Sequence, residues 1–86
     1  MTMKKCPCCG YFTVEDDFFI CEVCSWQYDA VAHDIPDRVI GANKVSLHQA
    51  QKNYKEFGAT EKRFLKYVRA PEKDEFQKIM WSVNSI

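Results

Sequence analysis

The feature that most narrows the possibilities is a set of four cysteines in two close pairs. These are Cys6-x-x-Cys9 and Cys21-x-x-Cys24, with 11 residues between the pairs. Two residues between thiolates let both bind one tetrahedral ion within a tight turn, and an intervening hairpin brings the second pair back to the first. Pro7 stiffens the first loop. Gly10 follows the second ligand, where the absence of a Cβ relieves crowding as the chain turns away. The spacing predicts one structural metal ion held by Cys6, Cys9, Cys21 and Cys24, with zinc the commoner occupant and iron the other. Four thiolates fill the tetrahedron and leave no open position for a catalytic water. Two readings compete. A thioredoxin-like Cys-x-x-Cys expects a surrounding strand and helix pattern that this sequence lacks. Paired disulfides expect an oxidising compartment.

Length explains why a metal would be needed. At 86 residues the chain reads as a single domain, 1–86, whose core alone is marginal. Scaffolds of this size usually carry a staple. The five cysteines are odd in number, and Lys4 and Lys5 run straight into Cys6 with no apolar secretory stretch before them. No apolar run approaches membrane-spanning length, so no membrane association is expected. A reducing, cytoplasmic setting is the expectation, and there cysteine pairs are more often metal ligands than disulfides.

The net charge of zero hides an asymmetry. Residues 1–37 carry two basic and seven acidic side chains, and residues 38–86 carry ten basic and five acidic. A tetrathiolate metal site would make the first part more acidic still.

The chain shows no low-complexity tract, linker or internal repeat. The predicted architecture is α+β: a small zinc-ribbon-like β-hairpin over 6–28 packed against two or three α-helices in a helical part, 46–85. Tyr11-Phe12-Thr13-Val14 and Phe18-Phe19-Ile20 read as its strands, joined by the polar turn Glu15-Asp16-Asp17. Residues 29–45, with Pro36, Gly41 and Asn43, read as an irregular connector. A helix is expected from Ser46, a plausible N-cap with Gln49 three residues on, to Gly58, placed for a left-handed stop. Leu47, Ala50, Tyr54 and Phe57 share its inner face. Thr60 reads as the cap of a shorter helix running to Val68. Pro71 opens a third, with Phe76, Ile79, Met80 and Val83 as its apolar stripe.

Several residues invite a sharper and a plainer reading. Cys8 reads as a small filler, its alternative being a reactive thiol. His33 and His48 read as exposed, with a base or extra-ligand role for His33 as the alternative. Trp26, with Tyr11 and Tyr28, reads as glue between ribbon and helices. Asn43 suits a turn that tolerates positive φ. Asn53, a poor helix former in mid-helix, reads as a hydrogen-bonded tie to the connector. Lys62, Arg63, Lys66 and Arg69 read as a solvated basic face, with a phosphate-binding strip as the alternative.

Cys6-Pro7-Cys8-Cys9-Gly10-Tyr11 opens a longer pattern. It continues through Cys21-x-Val23-Cys24 with Trp26, Gly41-Ala42-Asn43-x-Val45-Ser46-Leu47, Ala50-Gln51-x-Asn53-Tyr54, Phe57-Gly58-Ala59 and Val68-Arg69 with Pro71. Over residues 6–71 the chain resembles the small bacterial cysteine-rich family named for its Cys-Pro-Cys-Cys motif. The resemblance implies a zinc-ribbon-containing fold and little about activity. Glu22 departs from it, standing where the pattern often has proline. Gln27-Tyr28-Asp29 stands where an acidic run usually follows the tryptophan.

The expected function is that of a non-enzymatic protein-protein interaction module. One concrete form is an immunity or antitoxin protein set against a basic toxin. Nucleic-acid binding by the ribbon is the alternative, disfavoured by an acidic ribbon on a neutral chain. A thiol redox protein using Cys8 is a third reading. The oligomeric state and the partner are not legible in the sequence.

Overall fold

The computed structural model describes residues 3–76; the expected apolar positions Ile79, Met80 and Val83 lie outside these. Two short strands, β1 (Lys4–Lys5) and β2 (Phe12–Val14), pair antiparallel, with a bulge between the pairs Lys4–Val14 and Lys5–Phe12. Two helices follow, α1 (Ala30–Asp34) and α2 (Leu47–Phe57), and then two 3₁₀ turns, Lys62–Tyr67 and Lys73–Glu75. Among the described residues no helix is long and apolar enough to cross a membrane.

The hairpin is drawn differently from the expectation. Phe12–Val14 pairs back onto Lys4–Lys5 and not forward onto 18–20. The cause lies at Phe18, whose φ of 63° bends the chain out of extended geometry just where the second strand was expected. The chain then crosses to 26–28: Phe18 N–H donates to Tyr28 O at 2.7 Å, Tyr28 N–H donates to Phe19 O at 2.9 Å, and Ile20 bridges Gln27. Each cysteine pair therefore sits at the tip of its own small hairpin.

The core lies beneath these tips. Trp26, Val14 and Val23 are buried with Ala32, Leu47 and Ala50, and Tyr54, Val45 and Ile40 pack around them. Trp26 is glue, as expected.

Helix α2 follows the sequence signals closely. The Ser46 hydroxyl accepts from Gln49 N–H at 3.1 Å, and Gly58 at φ 93° ends the helix. Gln49 does not complete a capping box: its amide donates to Asn53 Oδ1 at 2.8 Å. Asn53 in turn donates to Thr60 O at 2.7 Å. It is a tie, but to the segment after the helix and not to the connector before it.

The connector is more ordered than expected. Asp29 caps α1, accepting from Val31 N–H at 2.9 Å through Oδ1 and from Ala42 N–H at 2.8 Å through Oδ2. Gly41 lies so close that an added Cβ would overlap Oδ2. Asn43 keeps a negative φ. Its amide clasps the Gln27 backbone, accepting from N–H and donating to C=O, both at 2.9 Å.

The segment expected as a second α-helix tightens into a 3₁₀ turn. Thr60 does not cap it; its N–H donates to Cys24 O at 2.9 Å, and the residue is buried. Only six residues separate Glu61 from the extended Val68, and short helical pieces readily adopt i→i+3 bonding. The third segment, in its described part, is one turn closed by a Glu72–Glu75 capping box, with Phe76 edge-on to Tyr11 at 5.0 Å between centroids.

Candidate metal centre

The two cysteine tips are copies of one backbone device. In the first, Cys6 N–H donates to Tyr11 O and Gly10 N–H donates to Cys6 O, both at 2.8 Å. In the second, Cys21 N–H donates to Trp26 O at 2.9 Å and Ser25 N–H donates to Cys21 O at 2.8 Å. Gly10 has φ 86° and Ser25 has φ 72°. The Lys5–Phe12 pair below the first tip matches the Ile20–Gln27 bridge below the second. Every position has its counterpart 15 residues on. The structure thus holds a backbone repeat that the sequence betrays only at the cysteines.

The tips face each other and bring the four sulfurs together. Cys6 Sγ and Cys24 Sγ are 3.6 Å apart, Cys9 Sγ and Cys21 Sγ are 3.7 Å apart, and all four lie within 4.8 Å of one another. A tetrahedral ion with metal–sulfur bonds of about 2.3 Å needs sulfur–sulfur edges of about 3.8 Å. The close pairs are therefore at ligand spacing, and well beyond the roughly 2.0 Å of a disulfide bond. Cys6, Cys21 and Cys24 are fully buried, and Cys9 is half-buried. The four cysteines named from spacing are the four that the fold assembles, and together they could hold a metal ion.

Electrostatics point the same way. Hydrogen bonds from Cys24, Cys6 and Cys9, joined by the Thr13 hydroxyl, hold the Cys21 thiol far below its usual value. The bond to Cys21, with further thiols and burial, pushes Cys24 far up. Four thiols this close cannot all ionise on their own, because each negative charge opposes the next. A divalent cation at the centre removes that conflict. Thr13, buried and 2.8 Å from Cys21 Sγ, was not singled out in the sequence. A hydroxyl beside a cysteine ligand orients it and shares its charge. Nearby, burial and the sulfurs push the Tyr54 hydroxyl up to about 12, so it stays protonated.

The other singled-out residues separate cleanly. Cys8 is buried in the core, where cysteine acts as a small hydrophobe. His33 is exposed. His48 is exposed too, with Nδ1 against Asp37 Oδ1. Both arginines of the basic strip are paired. Arg63 pairs with Glu61 at 2.9 Å. Arg69 forks onto Glu75 at 2.8 and 2.7 Å and reaches Glu22 at 3.1 Å. The Arg69 guanidinium holds the Glu75 carboxyl below the usual range, and the bonds to Glu75 raise Arg69 in return. Glu22, the departure from the family pattern, is thus the second knuckle's half of a clamp. The acidic first part and basic second part of the sequence interleave here.

Fold and site together define a small α+β protein built around a four-cysteine centre that could hold a metal ion. The chain belongs to the cysteine-rich CPCC family, whose profile matches residues 4–75. The matched span runs past the motifs recognised over 6–71 and takes in Glu75 of the Arg69 clamp. No curated protein and no solved structure matches the chain.

Proposed function

We propose that this chain is a non-enzymatic protein-interaction module whose fold is stapled by one structural zinc ion at Cys6, Cys9, Cys21 and Cys24. The observation that carries the reading is the buried sulfur tetrad at tetrahedral spacing. Borderline-soft zinc suits four thiolates, and a filled tetrahedron gives the metal a structural task. Free, closely spaced cysteines fit a reducing, cytoplasmic setting.

Binding to a protein is supported by what stands on the surface beside the second knuckle. Phe18, Ile20 and Tyr67 are 60%, 55% and 66% exposed. A cleft of about 270 Å³ is walled by Ile20, Phe64 and Tyr67. Aromatic and aliphatic anchors of this kind dominate protein interfaces. An immunity protein set against a basic toxin is one concrete form, and the exposed turn Glu15-Asp16-Asp17 offers acids for it.

Two measurements test the reading. Elemental analysis and native mass of the chain purified under reducing conditions should give one zinc per chain, with secondary structure lost on chelation. A displayed library of short peptides of mixed charge should then be enriched by the zinc-loaded chain. Full structure without metal would sink the staple, and a library left unenriched would sink the interaction reading.

A further inference from the structure

The sequence places its basic character in the 62–69 strip, where both arginines are paired, but a second group of lysines without ion pairs among the described residues lies elsewhere. Two adjoining clefts, of about 560 and 460 Å³, run along the junction of α2 with the first knuckle and share His48 and Gln51. Gln51 fixes the junction, donating to Pro7 O at 2.8 Å. The first cleft carries Lys52 and Lys55, and the second carries Lys5 and His33. Apart from Cys9, which a bound metal would hold as a thiolate, every charged group lining either cleft is basic.

Helix geometry makes this a track and not a scatter. Leu47, Ala50 and Tyr54 form the inward stripe of α2, while His48, Gln51, Lys52 and Lys55 follow i, i+3, i+4, i+7 spacing on a neighbouring face. From His48 to Lys55 the row rises roughly 10 Å, more than one anionic group would span. Among the described residues none of Lys5, Lys52 and Lys55 is in an ion pair. Asp37 meets His48 from outside the lining, so the three lysines carry the charge of the track.

We infer that this track is the docking site for an extended acidic segment of a partner protein, an inference that rests on the interaction-module reading above. Charge complementarity sets the sign of the ligand. The rest of the molecule sets its class. A nucleic acid is uniformly anionic and answers to a strongly basic domain. This chain is neutral overall, and its Glu15-Asp16-Asp17 turn is exposed. A peptide can place carboxylates against the lysines and apolar groups against Pro7, Pro36 and the Tyr54 ring, which also line the clefts. The track needs no shared residue with the apolar cleft at the second knuckle.

The test uses the zinc-loaded full chain and the same displayed peptide library. Enriched sequences should carry net negative charge. Affinity for the best of them, as a synthetic labelled peptide, should fall about tenfold or more in K52E/K55E, since reversing charges facing the ligand weakens both encounter and contact. The variant K62E/K66E, in the strip, should stay near wild type. Oligothymidylate of equal charge should bind more weakly than the peptide. Enrichment of only basic or neutral peptides overturns the track and leaves the module reading standing; no enrichment at all removes both. Tighter binding of oligothymidylate overturns the choice of ligand class. Loss of zinc from K52E/K55E would assign the lysines to balancing the thiolates, and would overturn the docking role.

Discussion

The two knuckles share a backbone and differ in almost everything attached to it. Among the described residues the first is tied to the later chain by the bond from Gln51 to Pro7 O and the edge-on contact of Tyr11 with Phe76, and it leaves Cys9 half-buried. The second buries both its cysteines. Its Cys24 carbonyl accepts from Thr60, its Glu22 is gripped through backbone and side chain by Arg69, and the Asn43 amide braces Gln27 behind it. Four like sulfurs thus impose one local geometry twice, while the later chain anchors itself more heavily to the second of the two copies. The second knuckle is the structural half of the site, and the first is the half turned toward solvent.

Ligand replacement is the severest way to break this comparison. Zinc bound by four thiolates contributes roughly 10–16 kcal/mol, against a total stability of roughly 4–13 kcal/mol for a chain of this length. Cys21→Ser or Cys24→Ser should therefore abolish both metal content and secondary structure. Cys9→Ser should do less, because water can solvate the new hydroxyl at a half-buried position. Elemental analysis with circular dichroism reads the difference; equal collapse of all three variants would erase the asymmetry.

The next effect lies behind the second knuckle. Gly41→Ala drives a Cβ into Asp29 Oδ2 while φ is +86°. Left-handed strain plus overpacking should cost about 2–4 kcal/mol. Gly10→Ala at the first knuckle has the same φ but open space, so it should cost about 1–2 kcal/mol. Chemical denaturation of the two zinc-loaded variants gives the ordering, and a reversed order would mean that Asp29 gives way.

How much of this was legible follows from the range of each signal. The four-cysteine cluster was readable because cysteine spacing encodes metal-site geometry locally. Helix α2 was readable because Ser46 and Gly58 mark its ends and its apolar stripe is 11 residues long. The pairing of Lys4–Lys5 with β2 was not, since two charged residues carry no strand pattern. Helix α1 was hidden by its length of five residues, too few for periodicity, although Asp29 does carry the cap signal. Arg69 read as one charge in a basic run because its partners, Glu22 and Glu75, are distant in sequence or lie in the next segment. Asn43 was assigned to a turn for the same reason: its clasp on Gln27 spans 16 positions.

The Arg69 clamp sharpens the comparison through pH. Arg69 holds the Glu75 carboxyl below its usual range. A carboxyl depressed in the folded state adds stability above its unfolded value, near 4.3, and loses it as pH falls through the lower folded value. Glu75→Gln should cost about 1–2 kcal/mol near neutral pH. Its deficit against wild type should narrow as pH drops below about 4.3. Protonation of the thiols weakens metal binding in both chains alike, so the two are compared at matched zinc saturation, down to the lowest pH at which both remain folded. A deficit unchanged by acid would mean that the fork's worth is packing, not charge.

The smallest expected effect tests the backbone copy itself. Ser25 occupies φ 72°, where its first-knuckle counterpart is glycine. A non-glycine residue in this region costs about 1–2 kcal/mol, and glycine returns part of that gain as unfolded-state entropy. Ser25→Gly should therefore stabilise by about 0.5–1 kcal/mol, and Gly10→Ser should destabilise by about 1 kcal/mol. The double exchange should come close to wild type, because the two sites sit at equivalent places on separate turns and share no hydrogen bond. Denaturant midpoints of the four zinc-loaded chains decide the matter. If Ser25→Gly destabilises, the serine side chain does something for the second knuckle beyond occupying its turn, and the copies differ in their backbone requirements as well as in their anchors.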